Sequence, residues 1–228
     1  MFAKFIEMRQ NAMIKNIPSQ VFGYFTLYSI LGFTLEIPLL FIEQIIYGNS
    51  FNQWTSIQIC IHLILISLIW GNIIFILLSI ANSKYKFNIF TFNDKLPINR
   101  WIMVISIAFI SVTITTILSD GFKPIKELIN TNIAIFIFQN LYYLFESALI
   151  LITLIFAQRY GELKFRKKNI IYGGLFLGAT WGLFHIVTQN FAVGLYTFFM
   201  SLIYGLIYTL LNKNTIYTYL IITTIFIL

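Results

Sequence analysis

Apolar runs of about 20 residues follow one another along almost the whole chain, a length that a bilayer core of about 30 Å demands and a buried soluble core does not repeat. Seven segments can be marked: 21–46, 57–80, 101–118, 132–156, 170–187, 192–211 and 215–228. The sequence therefore predicts an all-α, polytopic transmembrane bundle whose main partner is the lipid bilayer. Only 10% of the 228 residues are charged, against about 25% in an ordinary soluble domain. The seventh segment has fourteen residues and, at about 1.5 Å per residue, is short for a full crossing. Pro38 lies inside the first segment and predicts a kink there.

Charge sets an expected orientation. The net charge of +7 comes from Lys and Arg gathered in the connections, which fits membrane topology and argues against nucleic acid. Alternating the connections between two faces puts thirteen of the fifteen Lys and Arg on the face that carries the N-terminus, which is predicted to be cytoplasmic. Arg9 and Lys15 interrupt the first twenty residues, so these do not read as a cleavable signal peptide. Cys60, the single cysteine, leaves no disulfide framework. With two histidines far apart in sequence, no metal site and no cofactor are expected. Trp54 and Trp101 sit near segment ends, as interfacial aromatics do.

Ionisable groups at bilayer depth are costly, and each is a functional candidate. They are Glu36, Glu43, His62, Glu146 and His185. Gln139, Tyr142, Tyr143 and Thr153 share the helical face of Glu146. Trp181, Thr188 and Gln189 accompany His185. The helices of Glu146 and His185 are expected to run antiparallel, with the two residues differing in depth by only about 6 Å, so they can meet. Gly174, Gly178 and Gly182 form a stripe that lets another helix come close. A purely structural polar contact between the helices explains the Glu146–His185 pair equally well. Glu43 and His62 are expected to pin the first hairpin, in a structural role. Glu36 reads either as a protonated helix contact or as a relay carboxyl. Gly161 is expected to end the fourth helix, with Lys164, Arg166, Lys167 and Lys168 anchoring lipid headgroups.

The stretch from Tyr142 to Gln189 resembles the CAAX-protease and bacteriocin-processing family of membrane proteins. The matching features are Glu146, the turn Gln158-Arg159-Tyr160-Gly161-Glu162, and the run from Gly173 to His185 in which Trp181 and His185 are similar to an aromatic-x-x-x-His motif. The chain departs from the family pattern in two places. Ser147 follows Glu146 with Ile150 or Leu151 at the usual arginine position, and no histidine follows His185. The resemblance divides the chain into an N-terminal half, 1–130, and a family-like core, 131–228. It implies a glutamate-dependent intramembrane endopeptidase in a bacterial cell membrane, acting on a peptide or membrane protein substrate. Glu146 and His185 would be catalytic, with Gln139, Tyr143, Trp181, Thr188, Gln189 and Glu162 lining the site. Two alternatives stand beside it: a non-catalytic relative that binds a partner, as in bacteriocin self-immunity, and a small proton-coupled transporter.

Overall fold

The computed structural model describes residues 17–90 and 96–228; Lys4, Arg9, Lys15 and Lys95 lie outside the described residues. Within them the secondary structure is helical throughout: α1 (Ser19–Thr34), α2 (Glu36–Tyr47), α3 (Ser56–Tyr85), α4 (Ile98–Leu118), α5 (Lys123–Asn130), α6 (Ile133–Phe165), α7 (Tyr172–Leu177), a π-helical turn (Gly178–Gly182), α8 (Leu183–Thr188), α9 (Phe191–Leu210) and α10 (Thr215–Ile227). Five helical stretches are long and apolar enough to cross a membrane: Ser19–Tyr47, Ser56–Tyr85, Ile98–Leu118, Ile133–Phe165 and Phe191–Leu210. The other two expected segments differ. The fifth is broken by the π turn, and the seventh is the 13-residue α10, about 20 Å long. Side chains such as Phe75, Phe109 and Ile117 lie at least 70% exposed along α3 and α4, as a lipid-facing surface requires.

Helix α6 is the pillar. Its 33 residues span about 50 Å, and it packs against α1, α3, α7 and α10. Polar contacts fix these neighbours. The Trp70 indole of α3 donates to the Gly32 carbonyl of α1 at 3.0 Å. Ser147 of α6 meets Thr223 of α10 at 2.8 Å, and the Tyr219 hydroxyl donates to the Leu144 carbonyl at 3.0 Å. Helix starts are capped by short side chains: Thr55 with Gln58 in a capping box, and Asn132, Asn190 and Asn214 each accepting from a backbone N–H three residues on.

The proline effect falls where its chemistry puts it. Pro38 has no N–H to give the Thr34 carbonyl, and the first segment breaks at Leu35, between α1 and α2. Gly161, by contrast, does not end the fourth helix. The helix runs through it to Phe165, and Arg166 takes the left-handed cap at φ 57°. Gly161 is small because the Tyr172 side chain packs on it, so a Cβ there would overlap that side chain.

The glycine stripe faces α9. A Cβ on Gly174 would lie 2.8 Å from the Ser201 carbonyl oxygen, and one on Gly205 would lie 2.7 Å from the Gly174 Cα. Gly178 and Gly182 lie against Phe198 in the same way. Gly174→Val is therefore expected to lower stability by about 1–3 kcal/mol, read as a lowered unfolding midpoint in detergent.

The connections sort into two faces. On one, Asn132 donates to Ser56 at 2.7 Å, joining the 48–55 and 131–132 connections. On the other, Arg100 bonds Asn212, Thr215 bonds the Ile89 carbonyl, and Lys213 pairs with Glu162 at 2.5 Å. The second face therefore brings together the connection before α4, the end of α6 and the connection between α9 and α10, with most of the described basic residues.

Candidate functional site

A cavity of about 770 Å³ opens among α2, α3, α4, α5, α6, α9, α10 and the π turn, and both Glu146 and His185 line it. That volume is typical of small-molecule and peptide sites. Helix α6 presents Gln139, Tyr142, Tyr143 and Glu146 from one face, since offsets of three, four and seven residues coincide on a helix. Glu146 is only 7% exposed. Tyr142, one turn earlier, lies against the Trp70 ring at 4.9 Å between centroids and donates to the Glu36 carboxyl at 3.4 Å.

The π turn shapes the opposite wall. Leu183 N–H reaches back to the Gly178 carbonyl, five residues away, which widens the helix at Trp181. The Trp181 ring sits edge-on to the His185 imidazole at 4.8 Å. His185 Nδ1 lies 2.8 Å from the Trp181 carbonyl oxygen. A carbonyl only accepts, so Nδ1 carries the proton and a neutral His185 presents Nε2 as an acceptor. His185 can therefore donate to a developing oxyanion from Nε2 only as an imidazolium.

At the rim, α5 supplies a cation. Lys123 donates to the Phe226 carbonyl at 2.6 Å, lies over the Tyr143 ring at 4.1 Å and approaches Glu127 at 4.0 Å. Burial holds its pKa below the usual lysine value, against the opposing pull of Glu127 and Glu146. Glu127 also accepts from the Tyr143 hydroxyl at 2.6 Å, and Gln139 donates to that hydroxyl at 2.7 Å. Further along, Thr115 and Tyr196 bond at 2.7 Å.

Gln139, Tyr143, Trp181 and Gln189 line the cavity. Thr188 and Glu162 do not. The Thr188 hydroxyl donates to the Phe184 carbonyl at 3.3 Å from an exposed position. Glu162 lies sixteen residues beyond Glu146, about 24 Å along α6, at the basic face. There it receives Gln158 at 2.7 Å and Lys213 at 2.5 Å. Thr153, on the Glu146 face of α6, is fully buried and bonds the Leu149 carbonyl instead.

Glu43 meets His62 across the first hairpin, with Glu43 Oε2 2.6 Å from Nδ1. Their neighbourhood is the unexpected part: His62 and Glu36 line the same cavity as Glu146 and His185. Lys123 was not among the residues singled out from sequence. The available signal was the Lys123/Glu127 spacing on one face of a strongly amphipathic short helix.

Among the described residues no group of three or more His, Cys, Asp or Glu is arranged to hold a metal ion. Fold and apolar surface define an all-helical protein suited to a lipid bilayer. No protein-family model matches the chain, and no curated protein or solved structure matches it.

Proposed function

We propose that the chain is a glutamate-dependent intramembrane peptidase cutting a peptide or a membrane protein segment, with Glu146 as general base and His185 as the second group at the reacting carbonyl. The observation that carries this reading is the shared cavity: a buried carboxyl and an imidazole with a free Nε2 line one half-open space of about 770 Å³. In hydrolysis Glu146 takes a proton from water as the water oxygen bonds the carbonyl carbon. His185, protonated at Nε2, stabilises the oxyanion. Lys123 brings positive charge toward Glu146, and His62 brings a second imidazole to the cavity wall. The experiment that tests this reading is proteolysis by purified protein in liposomes, wild type against Glu146→Gln.

The same reading places the basic face in the cytoplasm of a bacterial cell, by the excess of Lys and Arg there. In a Cys60→Ala background, cysteines placed at Asn88 and Lys167 are expected to be labelled from the same side of the membrane. Labelling from opposite sides would overturn the topology. A proton-coupled carrier is the second reading, favoured by Glu36 and Glu146 lining one cavity. It would show as pH-driven solute uptake that survives when proteolysis is absent.

A further inference from the structure

The sequence offers a plain role for Glu43 and His62, a pin across the first hairpin. Three observations exceed it. His62 is held at both ring nitrogens by carboxyls, Glu43 Oε2 at 2.6 Å from Nδ1 and Glu36 Oε1 at 3.7 Å from Nε2. The Glu43 carboxyl is 3% exposed and, among the described residues, its Oε1 has no hydrogen-bond partner and the imidazole is the one that its Oε2 meets. Glu36 receives the Tyr142 hydroxyl at 3.4 Å, and Tyr142 lies one turn from Glu146 and interacts electrostatically with both carboxyls. Phe51 and Trp54 cover the imidazole at 6.1 and 5.7 Å between centroids. A pin needs the Glu43 contact; it needs neither Glu36 nor a place on the cavity wall.

We infer that Glu36 is a second acid–base carboxyl of the Glu146 cavity, linked to Glu146 through Tyr142 and positioned by the Glu43–His62 pair. This rests on the peptidase reading. The proton balance is complete. Glu146 takes one proton from water as the new C–O bond forms. It passes that proton to the Tyr142 hydroxyl while the hydroxyl passes its own to Glu36. Glu36 delivers it to the amine nitrogen as the C–N bond breaks, and both carboxyls return to their starting state. Glu36 is the catalytic residue of this unit. Glu43 and His62 are positioning residues: Glu43 fixes the ring by accepting from Nδ1–H, and the His62 imidazolium holds the Glu36 carboxylate from its Nε2 side. The 3.7 Å gap to Glu36 leaves room for the carboxyl to swing toward substrate.

Two measurements on the full chain in liposomes test this. The protein has two histidines, so imidazole 15N resonances can be assigned with a single His185→Gln variant. His62 is expected to carry its neutral-state proton on Nδ1, and both Glu36→Gln and Glu146→Gln are expected to displace its Nε2 resonance. A proton on Nε2 in neutral His62, or an Nε2 resonance that ignores both variants, overturns the linked unit whatever the protein cuts. With fluorescein-labelled casein as the probe, Glu36→Gln is expected to lower kcat about 10²-fold or more at unchanged KM, and His62→Asn to lower kcat by less. Full kcat in Glu36→Gln beside an inactive Glu146→Gln overturns this inference alone. Equal cleavage by wild type and Glu146→Gln overturns the peptidase reading beneath it.

Discussion

Glu146→Gln is expected to leave the protein folded and membrane-inserted while slowing proteolysis by about 10²–10⁴-fold, the usual cost of losing a general base. The amide matches the carboxyl in volume and can still accept from Tyr142 or Trp181, so the packing of α6 against α1 and α3 is preserved. What it cannot do is take a proton from water. His185→Ala is expected to be similarly inactive while retaining substrate, since it removes Nε2 from the cavity and leaves the helix contacts to Gly182 and α9 in place. Zinc should rescue neither variant, because no metal-binding cluster occurs among the described residues. A kinetic comparison in liposomes, with circular dichroism as the folding control, reads both effects.

The second large effect is expected at the other end of α6, and there it should be one of stability. Gln158 is 1% exposed and uses its whole amide. Nε2 donates to Glu162 Oε1 at 2.7 Å and to the Ile170 carbonyl at 2.8 Å, and Oε1 accepts from Gly173 N–H at 2.9 Å. These bonds join the end of α6 to the start of α7. They thereby set the register of the π turn that carries Trp181 and precedes His185. Leucine fills the space and leaves the buried Gly173 N–H and the half-buried Ile170 carbonyl without this partner, at about 1–3 kcal/mol each when unmet, while Glu162 Oε1 keeps Lys213. Gln158→Leu is expected to cost about 3–5 kcal/mol, measured by unfolding in detergent. A loss under about 1 kcal/mol would mean that water replaces the amide and that the clamp is dispensable.

This contrast explains what could be read in the sequence. The long helices were legible because, in a bilayer, the polar N–H and C=O groups of a long apolar segment must be satisfied internally, as a helix does. That Glu146 and His185 could reach one cavity followed from helical rise and the length of the connection between their helices. Glu162 was misread because it belongs to a turn that resembles a motif, while sixteen residues of helix carry it away from Glu146. Gly161 was misread as a helix end because its partner, Tyr172, is a tertiary neighbour that no local rule reveals. Glu43 and His62 could be paired from their positions across the first hairpin. Their membership of the main cavity could not, because it depends on the break at Leu35 and on how α2 and α3 lie against α6. Lys123 was hidden for the same reason: a short connection between spans gives no sign of folding its lysine inward.

The most direct measurement of the central claim is isotope incorporation. Membranes holding wild type or Glu146→Gln are incubated in water enriched in 18O, and new peptide C-termini are read by mass spectrometry. Hydrolysis at the Glu146 cavity predicts new C-terminal carboxyls bearing one 18O in the wild-type sample and their absence with Glu146→Gln. The same labelled termini in both samples, at equal yield, would contradict it.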